Sequence, residues 1–194
     1  MRYRSTILLN FLGASGVGKT SLSAKIFAKL KAKDYDVEYV SEYVKGWAWE
    51  GRTISPFDQF YIFGKECHNQ SMLFNKVQVI ISDSPVMLST FYHLYYNGDN
   101  SLSAPCHYFY ERAVKEFNII PMNFFLPRKK EYNPNGRYQT KEQSDELAIM
   151  LKDWLYNEGY TYEELTCSDE ERADIVLGKV LELLEREELK CGTK

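Results

Sequence analysis

The segment from Leu8 to Phe27 restricts the fold of this chain more than any other part of the sequence. An apolar run ends at Gly13, the tripeptide Gly18-Lys19-Thr20 follows, and a helical pattern begins there. A strand, the spacing G-x-x-x-x-G-K-[ST] and a helix together are typical of a loop that holds a triphosphate with its backbone N–H groups. The residues expected to contact phosphate are Gly13, Ser15, Gly16, Val17, Gly18, Lys19, Thr20 and Ser21.

Strand-like and helix-like segments alternate along the rest of the chain. The predicted strands are 6–12, 36–41, 77–82, 118–126 and 161–166, and the predicted helices are 20–33, 56–75, 86–96, 103–117, 141–157 and a last one after residue 168. Such alternation predicts an α/β fold, a three-layer sandwich with a mostly parallel five-stranded sheet and helices on both faces. Ligands of such folds bind beyond the carboxyl ends of the strands.

Three local signals sharpen these boundaries. Ser55 and Pro56 predict the start of the second long helix, as its cap and first helical residue. Pro121 predicts a sheet edge or a bulge, because proline has no N–H for a strand ladder. Ser168 with Glu171 three residues later has the spacing of a capping box at the start of the last helix.

Composition limits the classes of protein. The 194 residues predict a single domain over 1–194, and no apolar run approaches the length of a membrane span. The four cysteines are scattered, which favours reduced thiols in a cytoplasmic protein. A net charge of −3 argues against a broad nucleic-acid-binding surface. The oligomeric state stays open, a dimer included.

Two carboxylates directly follow predicted strands. Asp83 comes after 77–82, where it can hold Mg²⁺ together with Thr20, or instead cap the helix that follows Pro85. Glu42 comes after 36–41, where it can take the proton of an attacking hydroxyl or bind a sugar hydroxyl. The alternative for Glu42 is a solvated strand end.

An aromatic segment follows Glu42. Trp47 and Trp49 could stack on a planar acceptor ring, with Arg52 and Gln59 as further acceptor contacts, or the tryptophans could cover the core. A basic, turn-rich segment at 127–140, with Arg128 and Arg137, predicts a lid that neutralises charge on a moving phosphoryl group and excludes water. The alternative for that segment is an exposed basic turn.

Together these features resemble the P-loop nucleoside and nucleotide kinases, and among them the nicotinamide riboside kinase-like group, which includes many phage-encoded ATPases. The similarity spans the chain and rests on "GASGVGKTS", "SEYV", "FDQFYIFGKECHNQ" and "SDS". The resemblance implies ATP and Mg²⁺ as donor and cofactor, with Lys19, Glu42, Asp83, Arg128 and Arg137 as catalytic residues. It also implies that residues 166–169 lie on the adenine. The segment "WAWEGR" matches no acceptor pocket of the group.

Three hypotheses for the reaction follow. The first is transfer of the γ-phosphoryl group to a nucleoside, nucleotide or related small acceptor. The second, also implied by the resemblance, is a phage-type DNA kinase acting on hydroxymethylated pyrimidine. The third is a P-loop switch or motor. The sequence contains no N-K-x-D-like guanine-reading motif, and 194 residues leave little room for the further elements of a motor.

Overall fold

A parallel β-sheet organises the chain. The computed structural model describes residues 2–129, 131–133, 135 and 138–186. The strands are β1 (Thr6–Leu12), β2 (Val37–Val40), β3 (Val79–Ser82), β4 (Ile119–Phe125) and β5 (Glu163–Glu164). Their order is β2-β3-β1-β4-β5, and every pair is parallel. The predicted fold class is confirmed.

Seven helices accompany the strands in the described residues. They are α1 (Lys19–Lys31), α2 (Lys45–Trp49), α3 (Asp58–Ser71), α4 (Val86–Asn97), α5 (Ser103–Phe117), α6 (Lys141–Asn157) and α7 (Asp169–Leu184). One hydrophobic cluster joins α4, α5 and α6 to one face of the sheet, and a second joins α1 and α7 to the other. All seven residues of β1 are buried, since helices cover the strand on both sides.

The start of α3 corrects one prediction. Ser55 and Pro56 lie before the helix, and the N-cap is Phe57 without a side-chain cap. Ser55 instead donates from its N–H and its hydroxyl to the carboxylate of Asp58, at 2.8 Å each. The short side chain therefore closes a turn ahead of the helix. The one-turn helix α2 was not predicted, because five residues carry no readable periodicity.

Pro121 lies within β4, which is not an edge strand in the sheet order. β5, however, pairs only with Phe124 and Phe125, so the outer side of β4 is open at Pro121. The N–H of Leu126 donates to Leu12 of β1, and the carbonyl of Phe125 accepts from the N–H of Leu165 on the other side. The backbone groups of odd-numbered residues in β4 therefore point to the outer side. The missing N–H of Pro121 therefore costs no ladder hydrogen bond.

Other boundaries match closely. The predicted helices 103–117 and 141–157 coincide with α5 and α6, and Ser168 with Glu171 forms the expected capping box of α7. Within the described residues, no helix has both the length and the apolar character needed to cross a bilayer. Cys67, Cys106 and Cys167 are free thiols, and Cys191 lies outside the described residues.

Candidate functional site

The loop between β1 and α1 has the geometry that its glycines predict. Gly13, Gly16 and Gly18 have φ angles of 136°, 82° and 98°, a region that side chains disfavour. Gly18 is the N-cap of α1, and no side chain caps this end. The first N–H groups of α1 are therefore available for an anion, and the helix dipole adds positive potential there.

Lys19 folds back over this loop. Its Nζ donates to the carbonyl oxygens of Gly13 at 2.7 Å and of Ala14 at 2.9 Å. Val17 is buried below the loop, while Ser15, Gly16, Gly18 and Ser21 line a cavity above it. The loop thus has an anchored side and a side open to a ligand, with the ammonium group between β1 and the ligand side.

Asp83 joins three segments of the site. Its Oδ2 accepts hydrogen bonds from the hydroxyls of Thr20 and Tyr39, both at 2.6 Å, and its Oδ1 accepts from the N–H of Glu42 at 3.0 Å. The N-cap of α4 is Pro85, without a side-chain hydrogen bond, so Asp83 does not cap that helix. Burial, followed by the hydrogen bond to Asp83, raises the pKa of Tyr39 and keeps that phenol a donor.

A cavity of about 330 Å³ extends from the phosphate loop to the first turns of α3. The residues that line it include Thr20, Glu42, Asp83, Gln59, Ile62, Leu88, Tyr92 and Trp49. Most predicted loop residues, both strand-end carboxylates, Gln59 and Trp49 therefore meet around one space.

Gln59 occupies a distinctive place in this wall. Its side chain is 3% exposed and forms part of the cavity wall. A side-chain amide carries both a hydrogen-bond donor and an acceptor. Its donor and acceptor are available to a ligand with complementary polar groups.

Trp47 and Trp49 separate into two roles. Trp47 is buried in a ring cluster with Tyr43 and Tyr61, and the guanidinium carbon of Arg52 lies 3.5 Å from the centre of its ring. Trp49 is 67% exposed and lines the cavity. Trp49 therefore faces the cavity, whereas Trp47 packs into the ring cluster.

Arg52 and Arg128, two of the predicted arginine contacts, lie outside the cavity wall. Arg52 also forms an ion pair with Asp58, with Nη2 2.8 Å from Oδ1. Arg128 donates to the Ser15 carbonyl at 3.1 Å, to Ser144 Oγ at 2.5 Å and to Asp145 at 2.6 Å. In this structure Arg128 therefore braces the phosphate loop from behind. Arg137 lies outside the described residues.

The described part of segment 127–140 lies over the cavity. Asn135, Tyr138 and Gln139 contribute to the wall. The hydroxyl of Tyr138 donates to the carbonyl of Arg52 at 2.8 Å, and the amide of Gln139 donates to the hydroxyl of Tyr96 at 2.6 Å. These bonds attach the segment to the chain after α2 and to α4.

The expected adenine-side residues lie near the phosphate loop. Asp169 borders a small depression of about 20 Å³ together with Gly18, Ser21, Leu22 and Lys25. The start of α7 is therefore beside the first two turns of α1.

The sequence analysis missed Tyr39 and the buried polar face of α3. Gln59, Glu66 and Gln70 are all buried in α3 together with Ile62. They share one face of the helix, at positions i, i+3, i+7 and i+11 from Gln59. Polar residues in an otherwise core-facing stripe are the signal that would have identified them.

The fold and the site define a P-loop nucleotide-binding protein with the architecture of a small kinase. A family model described as "AAA domain" matches residues 8–172, and the chain belongs to this AAA domain family. No curated protein sequence matches the chain.

Solved structures share the fold at low sequence identity. NadR protein in complex with NR is 15% identical, with a TM-score of 0.69, and the match covers 97% of this chain and 54% of NadR. The structure of deoxyadenosine kinase from M. mycoides with dCMP and dCDP is 13% identical in sequence, with a TM-score of 0.59, and the match covers 90% of this chain and 99% of that enzyme. The structure of the enzyme with dATP has a sequence identity of 14% and a TM-score of 0.58, and the match covers the same shares of the two chains. The resemblance to P-loop nucleoside kinases is confirmed at the level of the fold.

Proposed function

We propose that this chain is an ATP-dependent kinase that transfers the γ-phosphoryl group to a hydroxyl of a nucleoside- or nucleotide-sized acceptor. The observation that carries the proposal is the single cavity that joins the phosphate loop to Glu42, Gln59 and Trp49. A phosphate loop alone would serve a switch or a motor equally well. A walled space beyond the γ-phosphate position is what a second substrate requires.

The donor side follows from the loop. Backbone N–H groups of the loop and α1 would hold the phosphates, and Lys19 would exchange its carbonyl partners for phosphate oxygens. Thr20 and Asp83 fit Mg²⁺, because the two oxygens lie 2.6 Å apart and hard oxygen ligands suit this ion. When bound, Mg²⁺ would offset charge on the β- and γ-phosphates.

The acceptor side combines apolar walls with few polar groups, as is typical of small-molecule sites. Ile62, Leu88 and Tyr92 would contact a ring, Trp49 would cover it, and the amide of Gln59 would bind its polar edge. The volume of about 330 Å³ is at the small end of ligand pockets, which span roughly 300–1,000 Å³. A small acceptor is therefore favoured over a DNA duplex.

The transfer step uses Glu42 as the proton acceptor. The acceptor oxygen forms a bond to the γ-phosphorus, the bond to the β–γ bridging oxygen breaks, and the hydroxyl proton passes to the Glu42 carboxylate. Closure by segment 127–140 would keep water out of the same position. Arg128 would contribute by holding the Ser15 carbonyl and thus the shape of the loop.

A transfer screen with γ-labelled ATP tests the proposal. The acceptors are nucleosides, nucleotides, nicotinamide riboside, and plain and hydroxymethylated DNA. We expect label on one class of small acceptor, with quenching of tryptophan fluorescence when that acceptor binds. Label only on DNA, with an apparent affinity that falls steeply with salt, would identify a DNA kinase instead. Label only in inorganic phosphate would identify an ATPase.

A pair of variants tests the role of Glu42. Glu42→Gln should lower turnover by about 10²–10⁴-fold, the usual contribution of a general base, with little change in ATP affinity. Glu50→Gln removes an exposed carboxylate of the adjoining segment and should leave turnover unchanged. Equal turnover of the wild type and Glu42→Gln would disprove the proton-acceptor role.

A further inference from the structure

Two buried oxygens on α3 have no hydrogen-bond partner in the described structure. They are Oε2 of Glu66 and Oε1 of Gln70. Both residues are 0% exposed, and they lie one helical turn apart on the same face. Two acceptors cannot bond to each other, but a proton on Glu66 would turn one of them into a donor. One hydrogen bond between these neighbours would then satisfy both atoms.

The other polar atoms of the pair reach the two strand ends of the site. Glu66 Oε1 accepts from the N–H of Tyr43 at 3.3 Å, and Gln70 Nε2 donates to Ser82 Oγ at 3.3 Å. Tyr43 follows Glu42 directly, and Ser82 directly precedes Asp83. The N–H of Glu42 in turn donates to Asp83 at 3.0 Å. α3 is therefore bonded to the neighbours of both site carboxylates.

The surroundings of Glu66 favour the neutral acid. Burial raises the pKa of Glu66 to about 8, the charges of Asp83 and Glu42 act in the same direction, and the hydrogen bond from the Tyr43 N–H opposes them in part. Cys67, next to Glu66 on α3, has its own pKa raised to about 12, chiefly by burial, and is neutral in this range. The charged groups that face Glu66 are thus the two carboxylates after β2 and β3.

We propose that Glu66 is a positioning residue, which as a neutral carboxylic acid links the Tyr43 N–H to Gln70 and so fixes Glu42 relative to Asp83. Glu66 is not proposed to contact a substrate. Its effect passes through the backbone of residues 42 and 43. Loss of the proton breaks the link to Gln70 and puts a third negative charge beside the carboxylates. The kinetic consequence rests on the proposed function, whereas the protonation state does not.

Infrared spectroscopy of the protein without substrates tests the protonation state. The difference spectrum between the wild type and Glu66→Gln should contain a protonated-carboxyl band at pH 6.5 that disappears as the pH is raised past 9. Absence of that band at pH 6.5 would overturn the proposal. Because no nucleotide or acceptor is present, this result stands or falls separately from the kinase assignment.

Turnover against pH tests the positioning role, with the acceptor found in the screen. The wild type should lose turnover as the pH rises through about 8. Glu66→Gln keeps both a donor and an acceptor without a titrating proton, so it should retain neutral-pH turnover within about twofold and show no such decline.

Glu66→Leu removes the link altogether. Its turnover should fall at least tenfold with a small change in the KM for ATP, since a shift of about 1 Å in a site can cost roughly 100-fold. Glu146→Gln, at an exposed position of α6, should keep the wild-type profile. An alkaline decline that persists in Glu66→Gln, or wild-type turnover in a folded Glu66→Leu, would overturn the proposal.

Discussion

Gly13→Ala should force the phosphate loop out of its present conformation and destabilise the protein. Gly13 has a φ of 136°, and a Cβ built on it would lie 2.8 Å from the carbonyl oxygen of Leu126 and 3.0 Å from Val17 Cγ2. Neither neighbour has room to move. Leu126 is 1% exposed and its N–H is bonded to the carbonyl of Leu12 at 2.9 Å, while Val17 is 2% exposed.

The loss of stability in Gly13→Ala is the sum of two contributions, backbone strain and overpacking. A non-glycine residue held in a disfavoured backbone region costs about 1–3 kcal/mol, and overpacking of a dense interior costs about 1–3 kcal/mol. We therefore expect the free energy of unfolding to fall by about 2–6 kcal/mol. ATP affinity should fall as well, because the Gly13 carbonyl is a partner of Lys19.

Urea denaturation followed by circular dichroism, with and without Mg-ATP, measures both effects. Gly178→Ala is the matched control, because Gly178 lies in α7 with no atom within 4 Å of an added Cβ. That change should stabilise the protein by about 0.5–1 kcal/mol, the helix preference for alanine. Nucleotide at about 100 times its Kd should add about 2.7 kcal/mol to the wild type and much less to Gly13→Ala. Wild-type stability and nucleotide response in Gly13→Ala would refute the loop geometry.

Three further predictions use the same assays. Lys19→Ala should weaken binding of a non-hydrolysable ATP analogue at least tenfold in calorimetry, since a charge-assisted hydrogen bond contributes about 1.5–3 kcal/mol; Lys29→Ala, on the exposed side of α1, should bind normally. Arg128→Ala should lower the free energy of unfolding by about 1–3 kcal/mol and slow transfer more than it weakens ATP binding, and Arg128→Lys should not rescue it, because lysine lacks the planar fork. A folded Arg128→Ala with wild-type stability and rate would contradict the brace. The pKa of Glu66 is raised from 4.5 to about 8, so the folded state holds a proton that the unfolded state has lost. This contribution is fully present below pH 4.5 and falls by up to about 1.4 kcal/mol per pH unit as the pH rises toward 8. Glu66→Gln should lack that decline in urea denaturation at successive pH values, and an identical pH dependence in both proteins would contradict the raised pKa.

The phosphate loop shows where prediction from sequence succeeds. Its glycines and Lys19 lie within one short segment, and the strand before it and the helix after it have clear periodicities. Because the contacts are local, the order of residue types nearly determines the conformation. The same holds for the capping box of Ser168 and Glu171, which involves residues three apart.

The acceptor side shows where prediction from sequence fails. Trp47 and Trp49 are the same residue type two positions apart, and only the orientation of α2 decides which one lines the cavity. Arg128 was predicted to belong to a lid over the phosphates, but in the structure it lies outside the cavity wall, because its long side chain can choose among many partners. Its bonds to Ser15, Ser144 and Asp145 depend on how α6 packs against the loop.

The sequence by itself determined the parallel α/β fold, the phosphate loop and the two strand-end carboxylates, because these depend on local patterning and on the common edge of a parallel sheet. Only the tertiary structure decided the shape of the acceptor cavity, the bonds of Asp83 to Thr20 and Tyr39, and the contact of α3 with the strand ends. The bonds of Asp83 and of α3 join residues from 12 to 63 positions apart in sequence, such as Gln70 with Ser82 and Thr20 with Asp83. Side-chain contacts over such separations follow from packing, which no local pattern encodes.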